Sequence, residues 1–242
     1  TTPVDTYSVD GSGRILTFTN FETLAGSSAQ DVFTISAGNQ SAIIFAGAGN
    51  DTLVMPDTAN LTGSFDGQGD FDTLNYSAYS SPRNFYLNPV LGITDDFNVT
   101  ETSISGGTFN IQKILGGTAV DNLHGRDTLA IYDIINGVDT YTDVTNTRTL
   151  IFDAIEDLYG GSLVDTFNLK GNHTGRLFGL GDADLFNVTG AAVLTGSADG
   201  GAGYDRLDYA GYDSASAFVL SGLGTEDGFD GTVSSLTSGF LN

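Results

Sequence analysis

One short pattern recurs along the chain and limits the folds it can adopt: an Asp followed at the second and fourth positions by apolar residues. It occurs seven times and, in a weaker form, an eighth, beginning at Asp31, Asp51, Asp72, Asp121, Asp127, Asp165, Asp184 and Asp205. Alternate residues of an extended chain point to the same face, so each Asp shares a strand face with its apolar partners. Five residues before the Asp stands a glycine in six copies, namely Gly26, Gly67, Gly116, Gly160, Gly179 and Gly200. Eight copies predict a repeat architecture in which turns lead into short strands.

The chain also contains a larger duplication. The segment Val4-Asp5-Thr6-Tyr7 returns as Val138-Asp139-Thr140-Tyr141, 134 positions later, and further matches follow at 134 and then 133 positions. Residues 4–109 and about 138–242 are therefore two copies of one unit. We predict a first repeat unit at 1–137, which includes a bridge segment at 110–137, and a second, truncated unit at 138–242, within one continuous solenoid.

The fold class follows from the spacing of the apolar segments. Helix signals are almost absent, and short apolar runs separated by Gly, Asn, Asp and Ser return about every 8–12 residues. An isolated repeat exposes an apolar edge, which stacking on its neighbours buries. The sequence predicts an all-β repeat protein, a right-handed parallel β-solenoid, with β-sandwich repeats as the alternative.

Composition excludes several functional classes. Eight Lys and Arg residues oppose thirty Asp and Glu, for a net charge of −22 in 242 residues. Nucleic acids and anionic membranes attract basic surfaces, so neither is an expected partner. The chain has no Cys and no apolar run long enough to span a membrane. This composition is typical of extracellular proteins, and we expect a secreted or cell-surface location.

The segment Gly200–Leu207 suggests a family. Gly200, Gly201, Gly203, Asp205 and Leu207 match the pattern G-G-x-G-x-D-x-U, which resembles the nonapeptide of haemolysin-type (RTX-like) calcium-binding repeats. The segments that begin at Ala46, Gly67 and Gly179 match it more loosely. Isolated copies of this kind resemble the repeat regions of large bacterial surface adhesins. In tandem RTX arrays calcium lies between successive turns, whereas here the copies lie about 20 residues apart, so a full oxygen cage requires an Asp from a neighbouring repeat.

Two roles are open for the Asp residues. Each carboxylate can cap a turn by accepting a backbone N–H, or several can share a calcium ion, because close carboxylates repel one another unless a cation intervenes. The expected calcium ligands lie where acids cluster, at Asp66, Asp70, Asp72, Asp182, Asp184, Asp199, Asp205 and Asp208.

We expect a structural extracellular protein, a subunit of a cell-surface filament, stalk or layer. The alternative is an adhesin or carbohydrate-binding module with glycans as partners. A polysaccharide-acting β-helix enzyme is the weakest reading. A glycosidase would use the paired acids at Asp95-Asp96 and Glu226-Asp227. Polysaccharide lyases with a β-helix fold need a basic residue beside calcium, and this chain has only eight Lys and Arg residues. We therefore predict no enzymatic activity.

Two structural expectations complete the prediction. The side chains of Leu53, Leu74, Phe167, Phe186 and Leu207 should point inward and be buried, with the aromatic residues forming stacked core ladders. The open ends should assemble subunits head to tail into a homopolymer, with the Thr1–Phe18 region pairing with the Gly222–Asn242 region of the next subunit.

Overall fold

The computed structural model describes residues 21–88, 96–225 and 228–241 in full, and the backbone alone for 5–9 and 15–18. These residues form strands and turns and contain no helix. They divide into two compact units. The first comprises 1–121 with Phe152–Ile155, and the second comprises 122–151 with 156–242. The protein is therefore all-β, as the sequence predicts.

The strands of the first unit are short, mostly three to five residues. In chain order they are β1 (Asp5–Val9), β2 (Ile15–Phe18), β3 (Thr23–Ala25), β4 (Asp31–Thr34), β5 (Gly38–Gln40), β6 (Ile43–Phe45), β7 (Thr52–Val54), β8 (Ala59–Leu61), β9 (Ser64–Asp66), β10 (Thr73–Asn75), β11 (Asn84–Leu87), β12 (Phe97–Glu101), β13 (Ile104–Ile111) and β14 (Lys113–Leu115).

Consecutive strands of the first unit pair in parallel with strands about 20 residues further on. Strand β3 pairs with β6 and β6 with β9, so that Thr23 lies opposite Ile43 and Ile43 opposite Ser64. A second row runs β4–β7–β10–β14, and a third pairs β5 with β8. We call each segment of about 20 residues that contributes one strand to each row a rung. The rung length matches the spacing of the Asp pattern. In the second row Asp31 starts β4, and Asp51 and Asp72 stand directly before β7 and β10.

An antiparallel meander interrupts this arrangement between β10 and β14. Strand β11 pairs with β12 and β12 with β13, and β13 returns to lie parallel to β8 and β9. A buried polar cluster ties the meander to the rungs, because the Glu101 carboxylate accepts from Tyr76 Oη at 2.7 Å, from Ser103 N at 2.8 Å and from Arg83 Nη1 at 3.0 Å.

The second unit contains the same kinds of strand. They are β15 (Asn122–His124), β16 (Ala130–Ile134), β17 (Asp139–Asp143), β18 (Arg148–Asp153, whose last two residues belong to the first unit), β19 (Asp157–Tyr159), β20 (Asp165–Leu169), β21 (His173–Thr174), β22 (Leu177–Gly181), β23 (Leu185–Val188), β24 (Leu194–Thr195), β25 (Ala198–Ala202), β26 (Arg206–Asp208), β27 (Val219–Leu223), β28 (Phe229–Val233) and β29 (Leu236–Leu241).

The second unit repeats the pairing pattern of the first. Strands β16, β20, β23 and β26 form one parallel row, and β15, β19, β22, β25 and β29 form another. Strands β27, β28 and β29 form an antiparallel meander. Strand β4 begins at Asp31 and β20 at Asp165, which is the 134-residue interval seen in the sequence. The division between compact units falls near residue 121, whereas the boundary between sequence copies falls near 137.

The core consists of the inward-facing residues of the parallel rows. Leu53, Leu74, Phe167 and Phe186 are buried, which confirms their predicted orientation. Leu207 is only half-buried. The prediction of full burial is wrong for this residue because β26 is the outermost strand of its row among the described residues.

Candidate functional site

The Asp residues that start or directly precede the strands form a hydrogen-bonded ladder in each unit. In the first, Asp31 N donates to Asp51 Oδ1 at 2.7 Å and Asp51 N donates to Asp72 Oδ1 at 2.8 Å. In the second, Asp165 N donates to Asp184 Oδ1 at 2.7 Å and Asp184 N donates to Asp205 Oδ1 at 2.8 Å. Each carboxylate therefore caps the strand of the neighbouring rung. We call these two rows the carboxylate ladders.

We call the turn that precedes each of these Asp residues a corner. The corners are of two kinds, which differ in the hydrogen bonding of the carboxylate oxygen Oδ2. In the first kind Oδ2 accepts the backbone N–H four residues earlier. Ser27 N donates to Asp31 Oδ2 at 2.5 Å, Gly117 N to Asp121 Oδ2 at 2.5 Å and Gly161 N to Asp165 Oδ2 at 2.6 Å. These corners fit the turn-capping role, because Oδ2 accepts a backbone N–H from the turn itself, although Oδ1 of Asp165 is buried without a hydrogen-bond partner in the described part of the chain.

The second kind occurs in the segments that resemble the calcium-binding nonapeptide. Here the residue four before the Asp has a positive φ, which is 114° at Gly47, 68° at Gln68 and 80° at Leu180. In the first kind of corner the corresponding residue does not have a positive φ. In the second kind, the N–H of this residue does not donate to the carboxylate of the Asp four residues later. Among the described residues, the buried Oδ2 atoms of Asp51, Asp72 and Asp184 have no hydrogen-bond partner. A buried carboxylate oxygen without a donor is costly, and a proton or a cation would satisfy it.

The electrostatics of these corners agree with their geometry. Burial raises the pKa of Asp72 to about 7 and that of Asp51 to about 6, and neighbouring negative charges, Asp70 among them, raise both, although backbone N–H donors lower them. Burial likewise raises the pKa of Asp184 to about 7, with Asp165, Asp205 and Asp182 adding to the shift. Two causes act together: the carboxylates lose hydration, and the ladder brings like charges close together.

The predicted calcium ligands divide among three environments. Asp72, Asp184 and Asp205 belong to the ladders, and the exposed Asp70 and Asp182 stand two residues before Asp72 and Asp184. Asp66 and Asp199 lie on the outer face of the other row, where Asp66 accepts from Asn110 Nδ2 at 2.7 Å. Asp208 pairs instead with Arg206. No group of three or more acids or histidines arranged to hold a metal ion occurs in the described parts of the chain.

Sequence reasoning missed two members of this site. Asp51 and Asp165 have raised pKa values, of about 6 and about 7, caused first by burial. Neither has another acid two residues away, so neither belongs to a local cluster of acids in the sequence. The repeat itself could have identified them, because both occupy the same position of the pattern as Asp72 and Asp184.

The structure also explains the glycine five residues before the Asp. A Cβ on Gly179 would lie 2.2 Å from Asp184 Oδ2 and 2.5 Å from the carbonyl oxygen of Gly200 in the next rung. A Cβ on Gly160 would lie 2.3 Å from Asp165 Oδ2. In these two corners the carboxylate occupies the space that a side chain would need, although Ala46 stands at the equivalent position before Asp51.

We expect Gly179→Ala to destabilise the protein by about 1–3 kcal/mol, since the added methyl forces the Asp184 corner and the adjacent rung apart. Urea unfolding followed by circular dichroism measures this change. The matched control is Gly222→Ala on β27, where an added Cβ meets no atom within 4 Å and φ is not positive. An equal loss of stability in both variants would contradict the steric explanation.

Comparisons with protein-family models, with curated proteins and with solved structures find no match to this chain. In the described residues there is no helix long and apolar enough to cross a membrane. Of the acid pairs considered for an enzyme, Asp95, Glu226 and Asp227 lie outside the described residues, and Asp96 is buried.

Proposed function

We propose that this chain is a structural segment of an extracellular or cell-surface protein, built as a right-handed parallel β-solenoid of the RTX-like adhesin kind. The observation that carries the proposal is the pair of carboxylate ladders, in which one side chain per rung caps the strand of the neighbouring rung. Such side chains serve the stacking of rungs. A solenoid distributes stability over nearest-neighbour contacts in this way, which suits a stalk, filament or layer.

Calcium is the second part of the proposal. The buried, unsatisfied Oδ2 atoms of Asp51, Asp72 and Asp184, each in a nonapeptide-like corner, favour an oxygen-seeking cation at the second kind of corner. The chain's charge of −22 also favours cation binding. Bound calcium would supply the attraction that the stacked carboxylates lack, and would lock adjacent rungs together.

Head-to-tail assembly is the third part. Phe85 and Leu87 on β11 of the first unit are 0% and 5% exposed, whereas their counterparts by the 133-residue interval, Phe218 and Leu220, are 47% and 60% exposed. Leu220 and Leu223 both lie on β27, and Leu223 is 78% exposed. Large apolar side chains that are exposed close together in the chain favour a partner.

The first unit shows what kind of strand completes such a surface. There β14 pairs with β10 and places the buried Ile114 beside Leu74, while the side-chain oxygen of Gln112 accepts the Asp72 N–H. In the second unit Leu207, the counterpart of Leu74, lines a groove of about 240 Å³ with Leu220 and Phe229. We propose that a second copy adds a strand here. Of the Thr1–Phe18 region expected to supply it, only the backbone of β1 and β2 is described, and residues 226, 227 and 242 of the receiving region also lie outside the described residues.

We expect light scattering to show growth beyond the 25.2 kDa monomer as concentration rises. Leu220→Asp should suppress this growth, because a charge in the apolar contact carries a large desolvation cost. Val120→Asp, at an exposed apolar residue of the first unit, is the control and should assemble normally. A folded, monodisperse monomer at every concentration would rule out assembly through this surface.

A further inference from the structure

An outward-facing column of aromatic rings runs across the second unit. His124 on β15, Tyr159 on β19 and Phe178 on β22 lie opposite one another in register, with 4.3 Å between the centroids of each neighbouring pair and interplanar angles of 18° and 10°. The next position of the column, opposite Phe178, is Asp199 on β25. The column therefore ends in a phenyl ring followed by a carboxylate.

A cleft of about 350 Å³ opens at this end of the column. It is lined by Phe178, Leu180, Asp199, Gly201, Ala202 and Thr225. Small residues of β25 border the cleft: Gly201 lies opposite Leu180, and Ala202 opposite Gly181. Gly201 has a φ of 85°, and a Cβ there would lie 2.4 Å from the Leu180 carbonyl oxygen, so close packing of the rungs requires the small residue.

The lining combines an apolar wall with polar groups on one side. Leu180 is 47% exposed and Phe178 is half-buried, so both present hydrocarbon to solvent. Asp199 accepts one backbone bond, from Gly201 N at 3.2 Å, and no side chain among the described residues donates to it. Thr225 adds an exposed hydroxyl. A volume above about 300 Å³ is typical of small-ligand sites, and this cleft has polar and apolar walls of similar extent.

The charges around the ring narrow the ligand class. The guanidinium carbon of Arg176 lies 5.1 Å from the Phe178 centroid, and Arg176 Nε donates to Asp157 Oδ2 at 3.0 Å. Arg176 already occupies the cation–π position on the ring and its charge is offset by Asp157, while the Asp199 carboxylate repels an anion. A neutral ligand that offers C–H groups to the ring and hydroxyl donors to the carboxylate fits both constraints.

We propose that this cleft binds a neutral saccharide, with the C–H groups of a sugar ring against Leu180 and the exposed part of Phe178 and its hydroxyls on Asp199 and Thr225. The first unit repeats the ring and the acid, since Phe45 lies opposite Asp66. There, however, Asn110 Nδ2 donates to Asp66 Oδ1 at 2.7 Å and so takes the acceptor. The site therefore belongs to the second unit, and it does not depend on calcium at the ladders.

The test is a titration of the ¹⁵N-labelled chain with the methyl glycosides of glucose, galactose, mannose and N-acetylglucosamine at millimolar concentrations, once in calcium and once in chelator. We expect at least one glycoside to shift the amide resonances of Phe178, Gly201 and Ala202 in both conditions. Ala202→Leu fills the cleft and should weaken binding by about tenfold or more, equivalent to about 1.4 kcal/mol.

Ala183→Leu is the matched control, because Ala183 is an exposed alanine in a turn of the same unit that does not line the cleft. It should bind as the unmodified chain does. Shifts that Ala202→Leu leaves intact, or no shift with any glycoside, would overturn the proposal. A response to methylammonium in place of the glycosides would also overturn it, in favour of a cation site.

Discussion

Replacing Phe167 with Ala is expected to cost about 3–5 kcal/mol of unfolding free energy, which is typical of removing a fully buried phenyl ring. Phe167 has no exposed surface and lies between Tyr132 and Phe186, with centroid distances of 4.7 Å and 4.9 Å and interplanar angles of 6° and 3°. Its removal leaves a cavity between two rungs and breaks both stacking contacts. The loss should be large because the backbone hydrogen bonds between rungs resist collapse into the cavity.

Urea unfolding followed by circular dichroism measures the effect. The matched control is Thr166→Ser, the preceding residue of β20, which points to the opposite face and is partly exposed. It should change the unfolding free energy by less than about 0.5 kcal/mol. If both substitutions cost the same, the inward and outward faces of β20 would be assigned wrongly.

The strand faces could be predicted because they depend on the two-residue period alone. Phe167 and Phe186 share a position in the Asp pattern, so one correct parity assigns the whole row. The stacking of their rings follows from parallel pairing in register. By contrast, the partial exposure of Leu207 depends on which strand lies beyond β26, and the pattern that contains Leu207 carries no information about that strand.

The meander could not be predicted from the repeat. Strand β10 is followed in its row by β14, so that Leu74 lies opposite Ile114, forty residues later rather than about twenty. The intervening strands β11–β13 lack the Asp pattern, and Glu101, which ties them to Tyr76 and Arg83, has no sequence signal of its own. A buried polar cluster of this kind depends on contacts between residues far apart in the chain.

The nonapeptide-like segments mark the second kind of corner in the sequence, but the backbone difference between the two kinds could not be predicted from it. Gly160 and Gly179 both stand five residues before an Asp, yet Asp165 Oδ2 accepts the Gly161 N–H whereas Asp184 Oδ2 accepts no bond among the described residues. The difference lies in the backbone at the residue after the glycine, where Leu180 adopts a positive φ of 80°. A left-handed leucine is uncommon and costs energy, so sequence preference alone would not place it there.

The second large effect concerns protons and calcium at the carboxylate ladders. The pKa values of Asp72 and Asp184 are raised to about 7 by burial and neighbouring charges, against an ordinary value near 4. In the folded state these groups hold protons that the unfolded chain releases above pH 4. Their contribution is therefore fully present below pH 4 and is lost as pH rises towards and through 7.

Without calcium, we expect the melting temperature to fall by roughly 5 °C between pH 6.5 and pH 8, because the two groups together lose about 1.6 kcal/mol in this range before the dependence levels off above pH 7. Each pKa unit corresponds to about 1.4 kcal/mol, and each kcal/mol to about 2–4 °C for a chain of this size. The two histidines titrate mostly below this pH range. Burial lowers the pKa of both His124 and His173, so their effect has the opposite sign and acts at lower pH.

Calcium should reverse this loss at pH 8 and have little effect at pH 5, because a proton and a cation compete for the same oxygens and only a ligand of the native state stabilises it. Differential scanning calorimetry at both pH values, with calcium and with chelator, makes the comparison. The double variant Asp72→Asn, Asp184→Asn should weaken both the pH dependence and the calcium response, with Asp165 and Asp51 keeping the remainder. Asp153→Asn removes one exposed charge outside the ladders and should keep both. A pH dependence that calcium leaves unchanged would show that the ladders titrate without binding calcium, so that the second kind of corner, like the first, serves only to cap strands.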